Sequence, residues 1–195
     1  LFRILPWDHQ IMRGLLACDL VGFHCQAYAS NFLDCVERML GERVERDAGR
    51  IEHGERTVRV GVFPLGIDSD LFAKRAREAR GRGPRGERII LGVDRLDYTK
   101  GIPEKIRSFE RLLELYPQHR ERVVLLQVAE PSRGEVGEYR RLKREVDGLV
   151  GSVNGSFATS RWTPIRYLNR SVSPEDLSGL YRDADVALVT PLRDG

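Results

Sequence analysis

Residues 88–103 read RIILGVDRLDYTKGIP, and the order of residue types in that stretch decides the fold. Arg88 to Val93 is a short apolar run, which predicts a strand buried on both faces. Pro103 suits the first turn of a helix that runs on to Tyr116. Strand, polar loop and helix then recur downstream. Val123 to Val128 reads as the next strand, about Glu135 to Val150 as a helix, and Ile165 to Leu168 as a short strand. Ser173-Pro174-Glu175-Asp176 opens another helix with an N-cap, a proline and two acids. Asp185 to Thr190 reads as a last buried strand before Pro191 to Gly195. The order β-α-β-α-β-α-β calls for a parallel sheet with helices on both faces.

Toward the N-terminus the spacing of Ile11, Leu15 and Leu16 predicts a helix from Asp8 to Ala17. Asp19 to His24 then reads as a short strand. Phe32, Leu33, Val36 and Leu40 share one side of a helix from Ala27, and Gly41 stops it. The charged residues from Glu42 to Glu55 suggest a hairpin or a surface excursion. Val58, Val60 and Val62 alternate with Arg59 and Gly61 as in a strand, and Phe63 to Asp68 looks like a closing turn.

Ligands of open parallel sheets sit beyond the carboxyl ends of the strands. Four segments occupy that place: Asp94 to Gly101, Ala129 to Gly134, Asn169 to Ser173 and Thr190 to Gly195. In the first, Arg95 and Lys100 stand just before a helix start, where a planar fork, a point charge and unpaired N–H groups can hold phosphate. Spacing alone also allows two ordinary surface cations in an Arg-rich chain. Arg133 stands in a stiff turn in the second segment. Val172 offers its main chain in the third, and Asp194 a carboxylate for sugar hydroxyls in the fourth.

These segments resemble a known family. Val93-Asp-Arg-Leu-Asp-Tyr-Thr-Lys-Gly-Ile-Pro103 is similar to a signature of trehalose-6-phosphate synthases, retaining glucosyltransferases of glycosyltransferase family 20. So are Leu5-Pro-Trp7, Asp19-Leu-Val-Gly-Phe23, Phe63-Pro-Leu-Gly-Ile-Asp68, Gln127-Val-Ala-Glu-Pro-Ser-Arg133, Trp162-Thr-Pro-Ile165 and Leu188-Val-Thr-Pro-Leu-Arg-Asp-Gly195, in the family's order. The resemblance implies an α/β fold of GT-B type, two Rossmann-like domains with parallel sheets. It implies transfer of glucose from UDP-glucose, or another nucleoside diphosphate glucose, to glucose 6-phosphate. Carried over by position, Arg95 and Lys100 would hold the donor diphosphate and act in catalysis. Val172 would meet the nucleobase through its main chain, Asp194 the donor glucose, and Arg133 the acceptor's phosphate. No cofactor or metal is implied.

The resemblance also sets expected boundaries. Residues 1–67 would end the first, acceptor-side domain, 68–87 would be a basic flexible linker, and 88–195 would form most of the donor domain. The chain then reads as an internal segment, inactive by itself. Two other readings are a catalytically silent regulatory relative and a polyanion-binding module built on residues 74–88. That stretch carries seven basic and two acidic side chains within a chain whose net charge is +3. Arginine outnumbers lysine 28 to 4 throughout, so the excess reads as general, and no aromatics are interleaved for base stacking.

At 195 residues, with 41% hydrophobic and 31% charged residues, the chain can bury a core and is no disordered tail. The longest apolar runs are too short for a bilayer, and no secretory signal opens the chain. Cys18, Cys25 and Cys35 form no CxxC pair, and the four histidines form no HExxH pair. A reducing, cytoplasmic setting and no metal site are therefore expected. The partners expected are small-molecule substrates, with neither nucleic acid nor membrane. Homo-oligomer formation is left open.

Overall fold

A computed structural model describes residues 5–79, 86–132 and 137–192. It divides into two units, residues 1–67 and 68–195.

In the first unit, helix α1 spans Asp8–Leu15 and strand β1 Leu20–Phe23. Helix α2, Gln26–Cys35, ends in a π-helical turn over Val36–Leu40 that Gly41 closes at φ +69°. Strands β2 (Arg43–Glu45), β3 (Arg50–His53) and β4 (Arg56–Val62) complete a sheet of order β1-β4-β3-β2. Only β1 and β4 pair in parallel, with Val21 opposite Val60. The other pairs are antiparallel, because the turns that join β2, β3 and β4 are too short for a crossover. Parallel pairing, expected of both domains, is thus confined here to one strand pair. Met12, Leu16, Phe32, Leu33, Val36, Ile51 and Val58 fill the core of the unit.

The second unit begins with a difference from expectation. Residues 68–87 read as a flexible linker, yet Ser69–Glu78 is a helix, α3. Asp68 caps it by accepting the Leu71 amide at 2.9 Å, and Asp70 lies in its first turn. The basic charge and later glycines of this stretch obscured a well-capped, alanine-containing start. Residues 80–85 lie outside the described part.

Strands β5 (Arg88–Arg95), β6 (Val123–Glu130), β7 (Ile165–Leu168) and β8 (Val186–Ala187) form an all-parallel sheet of order β7-β6-β5-β8. Helices α4 (Ile102–Leu115), α5 (Gly137–Phe157) and α6 (Pro174–Asp183) alternate with them. Every residue from Val123 to Ala129 is buried, as a central strand requires. One core cluster joins Ile102, Ile106, Phe109 and Leu113 of α4 to Val124 and Leu125 of β6 and to Val146 and Val153 of α5. A second joins Ile89 and Leu91 of β5 to Leu126 and Val128 of β6 and Leu180 of α6. Each such side chain fully buried stabilises the unit by roughly 1.5–3 kcal/mol.

Helix α5 runs two turns beyond the expected Val150. Tyr139, Leu142, Val146 and Val153 keep one buried stripe, and this outweighs the helix-weakening glycines at 151 and 155. Strand β8 is shorter and more exposed than expected, since Val186 lies on the sheet edge and is 53% exposed. Asp185 pins it in register: its carboxylate accepts the Ile89 amide at 2.7 Å while its own amide donates to the Ile89 carbonyl at 2.9 Å.

Candidate functional site

Counted from β5, the strand order of the second sheet is 3-2-1-4, so the direction of winding reverses between β5 and β8. In open α/β sheets that reversal opens a crevice at the carboxyl ends. The loop after β5 begins there. The Leu96 amide donates to the Glu130 carbonyl at 2.7 Å, which holds the ends of β5 and β6 together. Asp97 then caps a single 3-10 turn, Tyr98–Lys100, and Gly101 turns the chain into α4 at φ +64°.

Asp97 organises this loop. Its carboxylate accepts the Thr99 amide at 3.0 Å, the Thr99 hydroxyl at 2.9 Å and the Tyr139 hydroxyl at 3.2 Å, with Arg95 Nη2 at 3.5 Å. Burial works to raise the pKa of Asp97. The bonds from Thr99 and Tyr139 and the charge of Arg95 outweigh it and hold the group below its ordinary value of 3.8. Tyr98 meets Tyr139 edge-on, with ring centroids 5.9 Å apart.

The segment after β8 reaches the same loop. The Leu192 amide donates to the Thr99 carbonyl at 2.8 Å. A Cβ on Gly101 would stand 2.8 Å from the Thr190 carbonyl oxygen, so only glycine permits this approach.

A cleft of about 140 Å³ opens at the ends of β5 and β6, lined by Val93, Arg95, Val128, Glu130, Val172 and Leu177 among others. Its third side is the loop between β7 and α6. Asn169 Nδ2 donates to the Ala129 carbonyl at 3.0 Å, and Ser171 Oγ to Glu130 Oε1 at 2.7 Å. These two bonds hold the Val172 backbone beside the strand ends, and Ser173 then caps α6 by accepting the Asp176 amide at 3.0 Å. A broader basic groove, about 740 Å³, lies along α5 past Arg140, Arg141, Lys143 and Arg144. Its cations come from one helix face, so it lacks the convergence of the cleft.

The structure therefore brings Arg95 and Val172 to one cleft. Lys100 lies half-buried at the end of the 3-10 turn, with its amide on the Asp97 carbonyl at 3.1 Å. Arg133 and Asp194 lie outside the described residues. Sequence reasoning passed over Asp97, Glu130 and Lys105. The signal for Lys105 was a single charge in the apolar stripe Ile102, Ile106, Phe109, Leu113, where it is 2% exposed. Among the described residues no cluster of His, Cys, Asp and Glu is placed to hold a metal, and no helix is long and apolar enough to cross a membrane.

The model of glycosyltransferase family 20 matches residues 1–195. The chain belongs to that family. It is 44% identical to the 56 kDa subunit of the UDP-forming α,α-trehalose-phosphate synthase of Saccharomyces cerevisiae, over 100% of this chain and 41% of the relative. Among solved structures it is similar to the UDP-forming synthase of Burkholderia xenovorans in complex with glucose-6-phosphate. That match has a TM-score of 0.88 and 34% identity over 97% of this chain and 43% of that one. It is also similar to a structure described as trehalose-6-phosphate from E. coli bound with UDP-2-fluoro glucose, with a TM-score of 0.89 and 35% identity over 100% and 44%. This family 20 chain is thus α/β and of the GT-B class, and it spans less than half the length of these relatives.

Proposed function

We propose that this chain is part of a retaining glucosyltransferase, with most of its donor domain, that moves glucose from UDP-glucose to glucose 6-phosphate, giving α,α-trehalose 6-phosphate and UDP. The observation that carries the reading is the cleft at the ends of β5 and β6, where Arg95 and the Val172 loop meet. Relatives named as UDP-forming trehalose-phosphate synthases match 97–100% of this chain.

As the glycosidic bond breaks, negative charge grows on the departing diphosphate. Cations fixed there before reaction stabilise that charge without reorganising, and Arg95 and Lys100 fill this role. The Val172 main chain meets the nucleobase, Asp194 the donor glucose, and Arg133 the acceptor's phosphate. The chain's own cations do the neutralising, and the cytoplasm is the setting.

Replacing Arg95 or Lys100 by Ala in the whole protein should lower kcat about a hundredfold or more, the scale of one electrostatic donor at about 3 kcal/mol. Less than about a twofold change for both variants would remove the role. An unaltered protein that binds UDP but forms no trehalose 6-phosphate would be the regulatory relative instead. The same assay with EDTA tests whether a metal takes part, and a fall in rate would show that it does.

A further inference from the structure

Resting on the donor-site reading above, we infer that the buried pair Asp94–Lys105 is a clasp that positions the Arg95–Lys100 loop for catalysis. Asp94 immediately precedes Arg95 at the end of β5, and Lys105 lies one turn into α4, five residues after Lys100. The ten residues 95–104 run between the two partners. Lys105 Nζ donates to Asp94 Oδ2 at 2.6 Å, and the two side chains are 0% and 8% exposed. The pair therefore closes the base of the loop that carries both cations.

Its surroundings are built to hold it. Gln127 of β6 donates its amide to the same Asp94 oxygen at 2.9 Å and to the Val128 carbonyl at 2.9 Å. Gly92 leaves the room: a Cβ there would overlap Gln127 Oε1 and stand 3.0 Å from Lys105 Nζ. Stability alone gives no reason for charge at this place, because two apolar side chains of similar volume usually serve a core as well or better. What the ion pair adds is direction, since it fixes the strand end relative to the helix start. The loop above is also pinned, through the Leu96 amide on Glu130, the Lys100 amide on Asp97 and the Leu192 amide on Thr99. A shift at its base therefore passes to Arg95. Displacement by about 1 Å can cost about a hundredfold in rate. Asp94 also lines the cleft, whereas Lys105 does not; Lys105 therefore acts through Arg95 and Lys100, as a positioning residue.

The test uses the whole protein with Asp94→Asn and Lys105→Met combined, which removes both charges and keeps the volume. A folded double variant should lose at least about tenfold in kcat while its acceptor KM stays within about twofold. Adding Arg95→Ala should then cost less than it does in the unaltered protein, because the two changes act through one group. Wild-type kcat in the folded double variant, or full additivity with Arg95→Ala, would overturn the clasp and leave the donor-site reading standing. If Arg95→Ala and Lys100→Ala each kept wild-type kcat, the donor-site reading would fall and the clasp with it. A measurement on the unaltered, ligand-free protein stands beside these in case the variant does not fold. Amide exchange at Leu96, Thr99 and Lys100 should be slowed as in the core of α4, and exchange at open-chain rates would overturn a preformed loop.

Discussion

Asp97 and Thr99 close a turn on a single oxygen: Asp97 Oδ1 accepts both the amide of Thr99 at 3.0 Å and its hydroxyl at 2.9 Å. The second carboxylate oxygen takes the Tyr139 hydroxyl from α5 at 3.2 Å. One buried carboxylate thus joins the loop after β5 to a neighbouring helix. This is why the loop has a defined shape without being part of a strand or a long helix.

Replacing Asp97 by Ala should remove the carboxylate that accepts from the Thr99 amide and hydroxyl and from the Tyr139 hydroxyl. Stability should fall by about 1–3 kcal/mol, the range for a lost cap and its hydrogen bonds. Urea unfolding of the chain, read by the midpoint at constant slope, would check it. Asp97→Asn should cost less, because one amide oxygen can still accept from Thr99.

The same carboxylate makes stability depend on acid in a set direction. Its pKa lies below the ordinary 3.8 in the folded state, so the unfolded chain takes up the proton first as pH falls. The contribution is complete above pH 3.8 and is lost as pH falls through the lower, folded value. Asp97→Asn should therefore narrow the stability gap to the unaltered protein as pH drops below about 4. A constant gap from pH 6 down to pH 3 would show that the carboxylate gains nothing from its ionised state.

Gly101 is the next place where one atom decides the outcome. Its φ of +64° already strains any other residue, and the Thr190 carbonyl oxygen stands 2.8 Å from where a Cβ would sit. Gly101→Ala should destabilise the second unit by about 1–3 kcal/mol. Gly101→Asn should relieve only the backbone part. Two variants with equal melting temperatures would mean that the left-handed backbone costs nothing and that the contact with Thr190 carries the whole loss.

Much of this was legible in the sequence, for identifiable reasons. Strands such as Val123 to Val128 announce themselves because burial on both faces demands an unbroken apolar run. The site loop was legible because Arg95, Lys100 and Gly101 sit between such a strand and a proline-started helix. Helix α3 was missed because charge outvoted its cap at Asp68, and the end of α5 because two glycines outvoted its stripe. Tyr139, which donates to Asp97, lies 42 residues away in sequence, and Gln127, which donates to Asp94, lies 33 residues away. No local pattern can show pairings of that kind. Ser171 and Asn169, which hold the Val172 loop, looked like ordinary loop residues for the same reason.

The extension of α5 carries a specific bond pair. Asn154 donates Nδ2 to the Ile165 carbonyl at 3.0 Å and accepts the Ile165 amide at 2.9 Å, as a neighbouring strand would. Asn154→Ala should cost about 1–3 kcal/mol and fray the start of β7. Asn154→Asp should keep only the bond from the amide. Hydrogen exchange at Ile165 measures both, and an unchanged rate in the Ala variant would mean that Trp162 and the β6 pairing hold the strand unaided.

The last prediction concerns α3, the helix where a flexible linker was expected. Arg182 of α6 donates Nη1 to the Ala76 carbonyl at 2.6 Å and the Ala79 carbonyl at 2.8 Å, so it caps the carboxyl end of α3. Arg75 of α3 returns an ion pair to Glu175 at 3.2 Å. The helices approach closely where Gly179 faces Ala79, since an added Cβ would lie 3.0 Å from the alanine's own. Arg182→Ala removes the cap and leaves the close approach. Gly179→Ala does the reverse. Each should speed amide exchange in the last turn of α3, by about tenfold for a loss near 1.4 kcal/mol, and leave β5 and β6 unchanged. The Arg75–Glu175 pair is more exposed, so Glu175→Ala should matter less than either. Exchange in α3 that is already at open-chain rates in the unaltered protein would return residues 69–78 to the flexible linker that their charge suggested.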